Sequence, residues 1–161
     1  MSTKDFSGKR PQFLPETFFP GRLEGWGIIE GPMGGLQKRF TIEAAGEWKE
    51  AARVVRFIET WKFDDGFSDT LDWQISKKAS GRYVGAEKHL VSEAKGQQSG
   101  FAFRWRYARN TPQKGGSSLR LSFDDWFYKI DENVVCVRGR ASRFGLPLLY
   151  AFVTYRKISS V

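Results

Sequence analysis

The chain has 161 residues, the size of one domain that can bury well over half of its unfolded surface around a single core. Aromatic residues make up 16% of it and glycine is frequent, which favours β structure, while its net charge of +8 comes from scattered Lys and Arg residues. The absence of basic runs argues against a dedicated nucleic-acid surface, and no stretch approaches the roughly 20 apolar residues of a membrane-spanning helix.

The first 17 residues are polar and are interrupted by Pro11 and Pro15. This predicts a flexible or surface-draped N-terminal segment, residues 1–17, before a single domain over residues 18–161. The N-terminal sequence lacks the apolar core of a signal peptide. Cys136 is the only cysteine, which excludes an intrachain disulfide and favours a reducing compartment. We therefore expect a cytoplasmic protein.

Several segments alternate apolar and polar residues with the period of two that is typical of strands with one buried face. The clearest are residues 38–44, 54–63, 70–76 and 101–108. Asp65-Gly66 lies between two of them and predicts a hairpin turn, and glycine-containing turns separate the other segments. About eight to ten short antiparallel strands with little helix predict a β-sandwich or an up-and-down β-barrel.

Strict alternation in VVRFIETWKF, residues 54–63, places Glu59 on the same face as Phe57 and Trp61, which should be buried. A buried carboxylate is costly unless it finds a cation or hydrogen bonds, or takes up a proton. We expect a structural ion pair or hydrogen bond inside or at the rim of the barrel. The alternatives are that Glu59 belongs to a ligand pocket, or that a bulge turns it outward.

The segment LRLSFDDWFYKIDE, residues 119–132, contains two adjacent carboxylates within a strand-like pattern. If alternation continues from Leu119, Asp125 shares the inner face with Phe127. If a bulge intervenes, Asp124 and Asp125 cap a corner, and Trp126 joins the buried set. We favour the bulge.

The order of motifs from Phe18 to Lys157 resembles the domain-of-unknown-function family 3833, a bacterial group often described as lipoproteins. The motifs include FFPGRLEGWGIIEG, RFTIEAAGEW, ETWKFDDG, SFDDWFYKID and RFGLPL. The resemblance implies a calycin-like, that is lipocalin-like, β-barrel and no established activity. Family members commonly begin with a lipoprotein signal that ends in a cysteine; this chain has neither, so membrane anchoring does not carry over. Where the family tends to have an Asn-Arg pair this chain has Val137-Arg138, which leaves only Arg138 as a candidate.

Arg138 and Arg140 share one strand face, with Gly139 between them. Small calycin barrels that bind fatty acids hold the carboxylate with inward arginines and a tyrosine near their last strands, which suits the planar guanidinium. By analogy of fold, Arg138, Arg140 and Tyr155 would do the same. The alternative is that both arginines are solvent-exposed beside a packed core.

We expect the barrel to bind a small hydrophobic or amphiphilic molecule, with an anionic lipid-like molecule as one candidate. The predicted ligand-binding residues are Glu59, Trp61, Trp73, Phe103, Trp105, Asp125, Arg138, Arg140 and Tyr155. One alternative is a metal-independent isomerase or cyclase that uses Glu59 or Asp125 as acid or base, and another is a barrel filled by side chains with a structural or interaction role.

No metal site, cofactor or catalytic signature is predicted. His89 is the only histidine and has no metal-ligand spacing around it. Cys136 lies within an apolar strand pattern and is expected to act as a small apolar filler.

Overall fold

The computed structural model describes residues 1–161 as a closed barrel of ten antiparallel strands, which confirms the prediction of an all-β, lipocalin-like barrel with little helix. The strands are Gly21–Glu30 (β1), Leu36–Lys49 (β2), Val54–Phe63 (β3), Ser68–Lys77 (β4), Arg82–Ala86 (β5), Ala94–Ser99 (β6), Ala102–Pro112 (β7), Ser118–Lys129 (β8), Val134–Arg143 (β9) and Leu146–Ser159 (β10). The helical elements are a 3-10 turn, Thr3–Phe6, and a single-turn helix, Pro15–Phe18 (α1). Neither is long and apolar enough to cross a lipid bilayer.

Each strand pairs with the next strand along the chain, and β1 closes the barrel by pairing with β10. The sheet therefore has no free edge. Alternation sets which side chains face inward: in β3, Val55, Phe57 and Glu59 are buried, whereas Arg56 and Lys62 are directed to the outer face. The turns after β1, β3, β5, β7 and β9 lie at one end of the barrel.

The N-terminal segment closes the other end. The ring of Phe13 is fully buried and stacks on Phe103, with Phe18 packed beside it. Upstream, Phe6 packs on the outer face of the barrel against Phe101 and Trp126. The chain thus crosses from the outside of the barrel to its interior before β1 begins.

Polar contacts fix this closed end. Glu16 of α1 accepts hydrogen bonds from the Tyr83 hydroxyl at 2.6 Å and from Lys77 Nζ at 2.5 Å. Lys157 Nζ donates to the main-chain oxygen of Thr17 at 2.7 Å. These hydrogen bonds provide partners for the charged side chains at the closed end of the barrel, which would otherwise be costly to bury.

Strand β8 keeps its register through both aspartates, so the predicted bulge is wrong. Asp125 lies opposite Trp105 of β7 and Gly139 of β9, with no register shift in either pairing. Asp124 therefore faces outward, where Arg104 binds both of its carboxylate oxygens at 2.7 and 2.9 Å. The ion pair of Asp124 with Arg104 on the outer face and the space beside Gly139 on the inner face allow two adjacent carboxylates in a regular strand.

Trp126 is buried, but on the outer face of the barrel. The ring lies 5.7 Å from that of Phe6 between centroids and also stacks beside Tyr128. The N-terminal segment therefore covers an aromatic patch that strand alternation leaves on the outside. This explains why both faces of β8 carry large apolar residues.

Candidate functional site

A cavity of about 480 Å³ lies inside the barrel. It extends to the end opposite the N-terminal segment, where Gln37, Phe67 and Lys114 line it. Its volume falls within the range of about 300–1,000 Å³ that is usual for small-molecule pockets. The barrel is therefore not wholly filled by side chains.

Aromatic and aliphatic side chains form most of the cavity wall. All four predicted wall residues line it: Trp61, Trp73, Phe103 and Trp105. The two carboxylates and the tyrosine of the predicted set, Glu59, Asp125 and Tyr155, also line it.

Glycines on β5 and β6 let the large rings lie flat against the barrel wall. A Cβ atom at Gly85 would lie 2.5 Å from the Trp105 ring, and one at Gly96 would lie 2.7 Å from the rings of Trp105 and Phe103. Because these rings occupy the space of missing side chains, the centre of the barrel stays open.

Glu59 is only 6% exposed and lies on the inward face that alternation predicts. Its carboxylate accepts hydrogen bonds from Trp61 Nε1 at 2.6 Å and from the Tyr155 hydroxyl at 3.0 Å. Burial raises the pKa of Glu59 to about 7, although both donors and the charge of Arg109 act in the opposite direction. Glu59 therefore exchanges a proton near neutral pH.

Asp125 has fewer partners than Glu59. The Tyr107 hydroxyl donates to its Oδ2 at 3.2 Å, while Oδ1 has no hydrogen-bond partner in the protein and is accessible. A Cβ atom at Gly139 would lie 2.6 Å from Oδ1, so the glycine makes room for the carboxyl group. Burial raises the pKa of Asp125 to about 8, and the charges of Asp124 and Glu59 add to the effect.

Arg109 is the buried cation that the sequence analysis missed. It is 2% exposed, and its guanidinium donates to both oxygens of Asp69, at 2.6 and 3.1 Å, and to both oxygens of Glu87, at 3.0 and 3.2 Å. The signal was present in the sequence, because Arg109 follows Phe103, Trp105 and Tyr107 on the same face of β7. Two carboxylates compensate its charge, so it offers no free cation to a ligand.

Arg138 and Arg140 lie on the outer surface, so the prediction that they face the interior is wrong. Arg138 stacks over the Tyr150 ring at 5.5 Å, and Arg140 Nη2 is 3.7 Å from Asp124 Oδ2. In β9 the inner face belongs to Val135, Val137, Gly139 and Ala141, and alternation sends both arginines outward.

The predicted clamp for an anionic headgroup is therefore not formed. Of its three members only Tyr155 faces the cavity, and its hydroxyl already donates to the Glu59 carboxylate. The interior therefore presents the predicted carboxyl groups, Glu59 and Asp125, without the predicted guanidinium groups.

The sequence matches the family described as "Protein of unknown function (DUF3833)" over residues 1–157. The chain belongs to the DUF3833 family. Among solved structures, its fold is similar to that of the S-type phycobiliprotein lyase CPES from Guillardia theta, with a TM-score of 0.63. The two chains are 8% identical, and the similarity covers 88% of this chain and 89% of that chain. A comparison with curated proteins found no match.

The interior of this DUF3833 barrel combines an apolar wall with two carboxyl–tyrosine pairs, Glu59–Tyr155 and Asp125–Tyr107. Such pairs can accept hydrogen bonds from a ligand or exchange a proton with it near neutral pH. No group of His, Cys, Asp and Glu residues has an arrangement suited to a metal ion.

Proposed function

We propose that this DUF3833 barrel binds a small hydrophobic or amphiphilic molecule in its interior. The observation that carries the proposal is the aromatic cavity of about 480 Å³ with a few polar groups deep inside it. Binding pockets for small molecules usually have this composition, in which apolar walls supply affinity and a few polar groups fix orientation.

The barrel of the phycobiliprotein lyase supports the proposal at the level of fold. The similarity is one of fold alone, and function depends on the residues that line the cavity. In the DUF3833 chain these are Trp61, Trp73 and Trp105 on the wall, with Glu59 and Asp125 as the polar groups.

Tryptophan fluorescence tests this function, because three tryptophans line the cavity. We expect quenching or a spectral shift on titration with members of a panel of fatty alcohols, fatty acids, alkyl amines and isoprenoids. Ala151→Trp fills the cavity from β10 and should abolish binding. Thr154→Trp is the matched control, because Thr154 is exposed on the outer face of the same strand. No response to the whole panel would contradict the proposal.

A second candidate is a metal-independent isomerase or cyclase acting on a hydrophobic substrate in the same cavity. The observation that favours it is the pair of buried carboxyl groups whose pKa values, about 7 for Glu59 and about 8 for Asp125, suit acid–base chemistry at neutral pH. Glu59→Gln separates the two functions. A carrier retains binding with altered affinity, whereas an enzyme binds its substrate and loses turnover.

A further inference from the structure

We propose that the cavity selects amphiphiles whose polar group is a cationic nitrogen, which donates N–H hydrogen bonds to Asp125, over amphiphiles with a carboxylate. This inference rests on the proposed ligand-binding function and names the chemistry of the ligand's polar group. It reverses the expectation of an anionic lipid-like ligand, which depended on inward arginines.

The deep part of the cavity carries more carboxyl groups than cations. Four carboxyl groups lie in or beside it, on Glu59, Asp69, Glu87 and Asp125, against the single deep cation of Arg109. Since Arg109 is bound to two of these carboxylates, the other two have no cationic partner in the protein. A cationic group on the ligand would stabilise the ionised form of Asp125, whereas a carboxylate would find no free cation there.

Two lysines, Lys38 and Lys114, line the cavity, but they lie at its open end and are held by Asp65. At the open end, Lys38 Nζ lies 3.3 Å from Asp65 Oδ2, and Lys114 Nζ donates to the main-chain oxygen of Asp65 at 2.7 Å. At the closed end, Lys129 and Lys157 donate to main-chain oxygens of the N-terminal segment and do not line the cavity. No free cation faces the deep part of the cavity.

The Asp125 carboxyl group accepts fewer hydrogen bonds from the protein than the Glu59 carboxyl group does. Glu59 receives two hydrogen bonds, one on each oxygen, whereas Asp125 receives one at 3.2 Å and its Oδ1 receives none. A carboxylate accepts about four hydrogen bonds when fully satisfied, and a bond from a charged donor is about twice as strong as one between neutral groups. Asp125 is therefore the acceptor in the cavity that a ligand can complete.

An aromatic surface lies beside Asp125. The rings of Tyr107 and Phe123 stack at 4.8 Å and both line the cavity, with the Tyr107 hydroxyl bonded to the same carboxyl group. Ring faces attract cations, and the attraction grows when water is excluded. A nitrogen held at Asp125 would gain from both contacts.

Binding of the cation should depend on pH because Asp125 must lose its proton. The groups that face its carboxyl group are Tyr107 from β7, Glu59 from β3 and Tyr155 from β10, and Asp124 lies on the outer face of its own strand. Burial raises the pKa of Asp125 to about 8, so a large fraction is protonated at pH 7 in the free protein. Affinity for an amine should rise from pH 6 to pH 8.5, with release of a proton on binding.

The test compares decylamine, decanol and decanoate, which share one tail, by tryptophan fluorescence at pH 7.5 and below their micelle concentrations. We expect decylamine to bind more tightly than decanol by about tenfold or more, which is about 1.4 kcal/mol, and decanoate to bind most weakly. In Asp125→Asn the ratio between amine and alcohol should fall towards one. Asp72→Asn, an exposed aspartate on the outer face paired with Arg56, is the matched control and should keep the wild-type ratio.

A second measurement does not need a variant. Calorimetric titration of the wild-type protein with decylamine in two buffers of different ionisation enthalpy should reveal proton release, and titration with decanol should reveal none. Decanoate binding as tightly as decylamine, or an unchanged ratio in Asp125→Asn, would overturn the inference and leave the proposed function standing. If none of the three compounds bound, the inference would fail, and the wider panel would decide separately on the proposed function.

Discussion

Replacing Glu59 by glutamine should flatten the dependence of stability on pH. The carboxyl group has a pKa of about 7 in the folded protein, against an ordinary value of 4.5. Between these two values the folded state binds more protons than the unfolded state, so the free energy of unfolding falls as pH rises. The stabilising contribution is complete below pH 4.5 and is lost as pH rises to the folded pKa.

The magnitude follows from the two pKa values. One pKa unit corresponds to about 1.4 kcal/mol, so the total loss is about 3 kcal/mol, of which about 2.5 kcal/mol falls between pH 5 and pH 8. The glutamine that replaces Glu59 retains the shape of the side chain and an oxygen that accepts from Trp61, while its amide can donate to the Tyr155 hydroxyl. It cannot titrate, and this part of the pH dependence should therefore disappear.

Urea unfolding followed by tryptophan fluorescence at pH 5, 6, 7 and 8 measures the effect. Relative to the wild type, Glu59→Gln should gain about 2.5 kcal/mol of stability between pH 5 and pH 8, whatever its stability at one pH. Glu43→Gln is the control, because Glu43 pairs with Lys62 on the outer surface and its side chain is 76% exposed. Parallel pH profiles for the wild type and Glu59→Gln would refute the reasoning.

Three further changes test the packing around the cavity by urea unfolding. Arg109→Met should cost about 3–5 kcal/mol, because it leaves two buried carboxylates unpaired, whereas Arg56→Met on the outer surface should cost less than about 1 kcal/mol. Phe13→Ala should cost about 3–5 kcal/mol, because the ring is fully buried at the closed end of the barrel. Gly139→Ala should cost about 1–3 kcal/mol by crowding Asp125, and the cost should shrink when Asp125 is also replaced by Ala.

Each of these three predictions would be contradicted by a specific measured outcome. Equal effects of the two arginine variants would mean that Arg109 is not a desolvated ion pair. A loss of less than about 1 kcal/mol in Phe13→Ala would show that the N-terminal segment contributes little to the closed end. Strict additivity in the double variant of Gly139 and Asp125 would contradict their contact.

Alternation was sufficient to predict antiparallel strands and the burial of Glu59, whereas the choice of a barrel over a sandwich depended on the family resemblance. In VVRFIETWKF the residues Val55, Phe57, Glu59, Trp61 and Phe63 occupy alternate positions, and the strand follows this alternation. Alternation also holds through Asp124 and Asp125, and it was the preference for a bulge that was wrong, because two adjacent polar residues fit either register. The deciding features were Gly139 on β9 and Arg104 on β7, which only tertiary structure brings beside β8.

The error at Arg138 and Arg140 had a different origin. Strand alternation in β9 already placed Val135, Val137 and Gly139 on one face, which implied that Arg138 and Arg140 face outward. The inward arginines were predicted only by analogy with fatty-acid-binding barrels, and the stated alternative of solvent-exposed arginines is the one that the structure shows. In β7 the same alternation places Arg109 on the face of Phe103 and Trp105. It would have identified Arg109 as the inward cation.

The N-terminal segment shows where sequence periodicity gives no information. Phe6 and Phe13 are isolated aromatic residues in a polar stretch, with no repeat that indicates a strand or a helix. Their burial depends on surfaces provided by Trp126 on the outer face and Phe103 on the inner face. Such contacts join residues that are far apart in the sequence and leave no local signal.

Native mass spectrometry of the protein purified from its own host tests the occupancy of the cavity most directly. The account predicts a complex whose mass exceeds that of the chain by one small molecule, which is released on denaturation and carries an apolar body with a basic nitrogen. Ala151→Trp prepared in the same way should lack this molecule, and Thr154→Trp should retain it. A bare chain in the wild type, or an equal yield of the molecule from Ala151→Trp, would contradict the account.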